Sequence, residues 1–142
     1  MGPNTRVLVV DDEPAIRALV TKIVERAGHP VDSARDGAEA IAKLDVEDYG
    51  VLVVDLMMPN VDGYALIEHV KTRPGRRPAI IVISAGDTAA LRRLDGSMVH
   101  SILRKPFDID VLGDLITAAA RSMRGDEEKG GEVLPFPRGN AC

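Results

Sequence analysis

Five side chains that could take part in chemistry follow short apolar runs of the sequence: Asp11, Asp12, Asp55, Ser84 and Lys105. If these runs are parallel strands, their carboxyl ends meet at one edge of a sheet, where open α/β sheets place their functional crevice. We therefore expect three carboxylates, a hydroxyl and an ammonium group to converge at that edge.

The clustered carboxylates predict a cation and a phosphoryl group. Two carboxylates about 4 Å apart repel by about 4 kcal/mol at an effective dielectric constant of about 20, so the acids stay ionised together only around a cation. Oxygen donors without cysteine or histidine nearby favour Mg²⁺, or Mn²⁺, over zinc, and Mg²⁺ with few protein ligands commonly binds with a phosphate. This chemistry supports phosphoryl transfer onto Asp55, with Lys105 and Ser84 contacting the remaining phosphoryl oxygens.

Short apolar runs predict the strands that must position these residues. The runs at 7–10, 51–54, 79–83 and 101–103 are near-continuous, which is typical of parallel strands buried on both faces. The more polar HPVDSA at 29–34 suits a strand at the sheet edge.

Helical patterns separate the runs. The clearest has apolar residues at helical spacing from Ile16 to Ala27 and closes at Gly28, in the position where glycine often ends a helix. Asp36 is expected to be a turn or N-cap residue, the commonest role of such an aspartate. Weaker patterns cover 37–46, 63–72, 88–95 and 109–123. The alternation predicts a doubly wound α/β fold: a five-stranded parallel sheet with five helices and right-handed crossovers.

Composition limits the class of protein. A chain of 142 residues, 45% hydrophobic and 28% charged, is expected to form one domain with a sizeable core. Its net charge of -4 argues against direct nucleic-acid binding.

No apolar stretch approaches the roughly 20 residues of a membrane-spanning helix, and MGPNTR lacks a signal-peptide apolar segment, so we expect a cytoplasmic protein without membrane insertion. The single cysteine, Cys142, excludes an internal disulfide.

Four stretches together resemble the receiver domain of two-component response regulators: VLVVDDEP, VLVVDLMMPNVDGYALI, VISAG and LRKPF. The resemblance covers about residues 5–123, which we take as the domain. It implies a flavodoxin-like sheet with strand order 2-1-3-4-5. It also implies a cis peptide bond between Lys105 and Pro106, since only bonds preceding proline adopt cis at low cost.

The same resemblance implies the role of each polar residue. Asp55 would be the phosphoacceptor, and Ser84 and Lys105 would contact the phosphoryl group. The magnesium ligands would be Asp12 and Asp55 directly, Asp11 mainly through water, and the backbone carbonyl of Met57.

The resemblance implies a switch that catalyses only its own phosphorylation and dephosphorylation. It would accept a phosphoryl group from a phosphohistidine on a sensor histidine kinase or histidine phosphotransfer protein, and signal to an output protein by contact. Two alternatives remain open: a receiver fold used for docking without phosphorylation, and an aspartyl-phosphate hydrolase of the haloacid dehalogenase type. The hydrolase expects a second acid two residues after the nucleophile, where this chain has Met57.

Residues 124–142 are expected to form a disordered tail, because they are rich in glycine, proline and charge and lack periodicity. The segment is too short and polar for an output domain, which favours a stand-alone regulator. We predict that truncation after Met123 leaves the thermal midpoint of unfolding unchanged within error. Strong protection of amides 133–136 from hydrogen exchange would contradict this prediction, since it would mean that VLPFP docks on the domain.

Overall fold

The computed structural model describes residues 5–56, 63–73, 77–85 and 99–125, with the backbone alone for 124 and 125. In chain order the described elements are β1 (Val7–Val10), α1 (Pro14–Arg26), β2 (Val31–Ala34), α2 (Gly37–Leu44), β3 (Val51–Asp55), α3 (Gly63–Thr72), β4 (Ala79–Ser84), β5 (Val99–Arg104) and α4 (Ile109–Gly125).

Two predictions fall wholly or partly outside these ranges. The helix predicted over 88–95 lies outside the described residues, which contain four helices. The tail is also outside them, except that α4 continues two residues past the predicted domain boundary to Gly125. Among the described residues, no helix combines the length and apolar character needed to cross a membrane.

The sheet has the predicted topology. Its five strands are parallel and follow the order β2-β1-β3-β4-β5. The chain moves from β1 outward to β2 and returns to β3 on the other side of β1, so the winding direction reverses between β1 and β3. In open α/β sheets, ligand sites form beyond the carboxyl ends of the strands at such a reversal. This is where the segments after Val10 and Val54 leave the sheet.

Alternating side chains of the three central strands form two separate cores, which explains their near-continuous apolar sequences. The core under α2 and α3 takes from these strands Leu8, Val10, Leu52, Val54, Ile80 and Val82. The core under α1 and α4 takes Val7, Val9, Val51, Val53, Ile81 and Ile83. Burying each such side chain contributes about 1.5–3 kcal/mol, so both faces hold the strands in a fixed register.

The outer strands differ from this pattern, and the prediction for one of them was wrong. β2 is an edge strand, as its polar sequence predicted, but the run at 101–103 is not buried on both faces. β5 is the other edge, and Ile102 is 45% exposed. A register shift pairs Ile80 with Val99 but Ile81 with Ser101, so β5 has one additional residue. Val99 therefore packs against one core and Leu103 against the other.

Individual residues mark where the helices begin and end. α1 ends before Gly28, whose φ of 91° lies in the left-handed region that glycine adopts at low cost. The buried apolar face of α1 is narrower than the sequence predicted: Val20 and Val24 are buried, whereas Leu19 is 39% exposed. Asp36 is the N-cap of α2, because its carboxylate accepts a hydrogen bond of 2.8 Å from the Glu39 amide.

The start of α3 packs directly on the end of β3. The Gly63 amide donates a hydrogen bond of 3.1 Å to the Leu56 carbonyl, which joins the start of α3 to the end of β3. A Cβ atom built on Gly63 would lie 2.6 Å from the Leu56 Cα atom and 2.7 Å from the Asp55 carbonyl oxygen. The backbone approach therefore requires a residue without a side chain.

We predict that Gly63→Ala lowers the free energy of unfolding by about 1–3 kcal/mol, because the added methyl group meets backbone that cannot rotate away. Urea unfolding measures the change. The matched control is Gly113→Ala in α4, where an added Cβ atom would meet only the Ile23 Cγ2 atom at 3.6 Å. That control should be neutral or stabilising, since alanine favours helix interiors over glycine by about 1 kcal/mol. Equal stability of both variants would contradict the prediction.

Candidate functional site

The five predicted residues meet at the carboxyl edge of the sheet. Asp11 and Asp12 directly follow β1, Asp55 is the last residue of β3, Ser84 is the last residue of β4, and Lys105 directly follows β5. Asp11, Asp55 and Ser84 are buried, and Asp12 and Lys105 are half-buried. Met57, the predicted source of a carbonyl ligand, lies outside the described residues.

The ammonium group of Lys105 lies among three carboxylates. Its Nζ atom is 3.1 Å from Asp55 Oδ2, 3.3 Å from Glu13 Oε1 and 3.5 Å from Asp11 Oδ2. The backbone amide of Lys105 donates a hydrogen bond of 3.0 Å to the Ser84 carbonyl, which ties the end of β4 to the lysine. The peptide bond between Lys105 and Pro106 is cis, as the resemblance predicted.

These contacts decide the charge state of the lysine. Burial by itself lowers the pKa of Lys105, but the hydrogen bond to Asp55 and the negative charges of Asp11 and Asp55 outweigh it, with a further contribution from Glu13. The net effect raises the pKa of Lys105 above its ordinary value. The side chain is therefore a fixed positive charge inside the acid cluster.

Three of the acids are close enough to share one cation. Asp11, Asp12 and Asp55 each offer a carboxylate oxygen, and these oxygens lie within 4.8 Å of one another. Burial raises the pKa of Asp11, and the charge of Asp55 raises it further, while the Glu13 amide and Lys105 act in the opposite direction. The pKa of Asp11 is raised overall, because burial and the charge of Asp55 together outweigh the effects of the Glu13 amide and Lys105.

The donor set fits a hard divalent cation. The three clustered groups are all carboxylates, and Mg²⁺ and Mn²⁺ prefer oxygen ligands. A cation among them would offset the burial of Asp11, which is the larger cause of its raised pKa, and its repulsion from Asp55. The residues present therefore fit the predicted metal, with Asp11, Asp12 and Asp55 as its candidate ligands.

Two residues near the acids were not assigned a role from the sequence. Arg17, on the first turns of α1, donates a hydrogen bond of 2.9 Å from Nη1 to the Asp11 carbonyl. The Glu13 amide donates to Asp11 Oδ1 at 3.0 Å, which orients that carboxylate. The contact of Glu13 with Lys105 joins residues 92 positions apart, so local sequence contained no signal for it.

Comparison with known proteins agrees with this geometry. The sequence matches the family described as response regulator receiver domain over residues 7–117. The transcriptional regulatory protein TcrA of Mycobacterium tuberculosis is 34% identical over 119 residues, which are 83% of this chain and 47% of TcrA. A probable chemotaxis protein CheY of Rhizobium etli is 28% identical over 127 residues, which are 87% of this chain and 98% of that protein.

A solved structure shows the same likeness. The receiver domain of the Francisella response regulator 1452 superposes with a TM-score of 0.76 and 30% sequence identity, covering 84% of this chain and 98% of that domain. This chain spans about half the length of TcrA, at 47%. Because the family match covers residues 7–117 of 142, this chain belongs to the response regulator receiver domain family, whose general function is that of a phosphorylation switch in two-component signalling.

Proposed function

We propose that this chain is switched by phosphorylation of Asp55, using Mg²⁺ and a phosphohistidine donor. One observation carries the proposal: Asp55 lies at the sheet edge with Lys105 Nζ 3.1 Å from its Oδ2 atom and two further acids beside it. A buried carboxylate that had only a structural role would be compensated by the lysine alone. The additional acids add repulsion that a structural ion pair does not need.

The proposed reaction is a displacement at phosphorus. A carboxylate oxygen of Asp55 attacks the phosphorus atom of the partner's phosphohistidine, the new oxygen–phosphorus bond forms, and the phosphorus–nitrogen bond breaks with its electron pair returning to the imidazole. When bound, Mg²⁺ would neutralise part of the negative charge on the phosphoryl oxygens. Asp11 and Asp12 would hold that ion beside the acceptor, with the Met57 carbonyl as a further ligand implied by the resemblance.

Lys105 and Ser84 would then bind the transferred group. Lys105 needs little movement, because its ammonium group already lies 3.1 Å from the acceptor carboxylate and its raised pKa keeps it charged. Ser84 ends the strand next to the acceptor strand, so its hydroxyl is at the same sheet edge. Signalling would follow from the changed contacts of these two residues with the elements that they end.

The partners follow from the chemistry. Receiver domains of this family take their signal from sensor histidine kinases and generally act as switches rather than enzymes. The phosphoryl donor proposed for this chain is therefore a sensor histidine kinase or a histidine phosphotransfer protein, and its output is contact with a further protein in the cytoplasm. The docking-only alternative is disfavoured because the cluster of Asp11, Asp12, Asp55 and Lys105 is complete.

We predict that Mg²⁺ and acetyl phosphate, or a phosphohistidine donor, add one phosphoryl group to the protein. Asp55→Asn should abolish the addition, because the amide lacks a nucleophilic carboxylate oxygen. Intact-protein mass measurement under acyl-phosphate-preserving conditions detects the product.

The matched control for this experiment is Asp114→Asn, at an exposed acid of α4 outside the site. It should be labelled like the unaltered protein. Undiminished labelling of Asp55→Asn would place the acceptor elsewhere, and absence of labelling in the unaltered protein from every donor would favour the docking-only function.

A further inference from the structure

Among the residues that the structure describes, Glu13 is the one carboxylate in contact with Lys105 that lies outside the three-acid cluster. It is the N-cap residue of α1, yet its side chain makes no capping hydrogen bond with that helix. Its Oε1 atom instead accepts a hydrogen bond from Lys105 Nζ at 3.3 Å. The helix terminus thus presents its acid to the lysine of the phosphorylation site.

The geometry limits what Lys105 can contact at one time. A lysine ammonium group has three donor hydrogens. In this structure three carboxylates surround it, those of Asp55, Glu13 and Asp11, at 3.1, 3.3 and 3.5 Å. A phosphoryl oxygen that binds Lys105 therefore competes with these carboxylates for the hydrogens of its ammonium group.

Exposure to water identifies the contact that is released most easily. The side chain of Glu13 is 61% exposed, whereas those of Asp11 and Asp55 are 3% and 5% exposed. A carboxylate that loses a lysine contact in the interior stays desolvated, but one at the surface is hydrated by solvent. Breaking the Glu13 contact therefore costs less free energy than breaking the contact of Lys105 with Asp11 or Asp55.

We propose that Glu13 is a positioning residue that holds Lys105 in the unphosphorylated state and competes with the phosphoryl group for its ammonium group. This inference rests on the proposed phosphorylation of Asp55. The Glu13 contact stabilises the resting arrangement only, because Lys105 leaves it when the phosphoryl group binds. Glu13 therefore shifts the switch toward its resting state.

The test compares the affinity of the full chain for beryllofluoride, a phosphoryl mimic, at a fixed Mg²⁺ concentration. Glu13→Gln should bind about two- to five-fold tighter than the unaltered protein, the range expected for removing one ion pair with an exposed partner. Glu13→Asp keeps the charge but shortens the side chain, so it should also bind more tightly. Glu25→Gln, at an exposed acid in the last turn of the same helix, is the matched control and should bind unchanged.

A second measurement needs neither metal nor mimic. The free energy of unfolding in urea is measured without metal for the unaltered protein, Glu13→Gln, Lys105→Met and the double variant. These four values form a double-mutant cycle, which should show favourable coupling between the two residues. Zero coupling would mean that Glu13 and Lys105 do not interact, which overturns the proposal. Tighter binding by Glu13→Gln but not by Glu13→Asp would mean that Glu13 acts through charge alone, which overturns competition for Lys105.

Two further outcomes separate this inference from the function on which it rests. If the unaltered protein binds beryllofluoride and Glu13→Gln binds with equal or lower affinity, the role of Glu13 is refuted and the proposed function stands. If the unaltered protein does not bind beryllofluoride at any Mg²⁺ concentration, both the proposed function and the role of Glu13 are overturned.

Discussion

Repulsion among carboxylates held at the end of a rigid parallel sheet is the constraint on which the site depends. Asp11 and Asp55 cannot move apart, because β1 and β3 pair in register and are buried on both faces. Burial and the charge of Asp55 together raise the pKa of Asp11 despite the nearby lysine. The apolar cores therefore do more than stabilise the fold: they hold like charges at a distance where a cation is favourable, as the proposed phosphorylation requires.

The same scaffold makes the site responsive to its charge. Lys105 connects three acids, and its backbone amide is hydrogen-bonded to the Ser84 carbonyl at the end of β4. A change at Asp55 thus reaches the ends of β4 and β5 through one side chain and one backbone bond. Glu13 adds the start of α1 to this set, at the exposed side of the cleft. Charge added at Asp55 by the proposed phosphorylation would therefore act on several elements at once.

Much of the fold could be predicted from the sequence, because the signals were strong and local. Continuous apolar runs indicated the central strands, Gly28 indicated the end of α1, and the residues that follow the runs indicated where the candidate site lies. The exposed character of β5 could not be predicted from SIL, because it depends on which strand stands at the edge and on the additional residue at its register shift. The Glu13 contact was also hidden, since a side-chain pairing across 92 positions leaves no periodic pattern. Met57 and the helix predicted over 88–95 remain predictions, because they lie outside the described residues.

The central claim is that the carboxylates of Asp11, Asp12 and Asp55 form a site for one divalent cation, and Mg²⁺ titration followed by backbone amide chemical shifts tests it most directly. The account predicts one saturable transition whose largest shifts fall on residues 11–13, 55–56 and 104–105. It predicts that Asp12→Asn weakens the binding strongly, whereas Asp114→Asn leaves it unchanged, because Asp12 contributes a carboxylate to the cluster and Asp114 does not. Absence of saturable shifts in the unaltered protein, or equal Mg²⁺ affinity of Asp12→Asn, would contradict it.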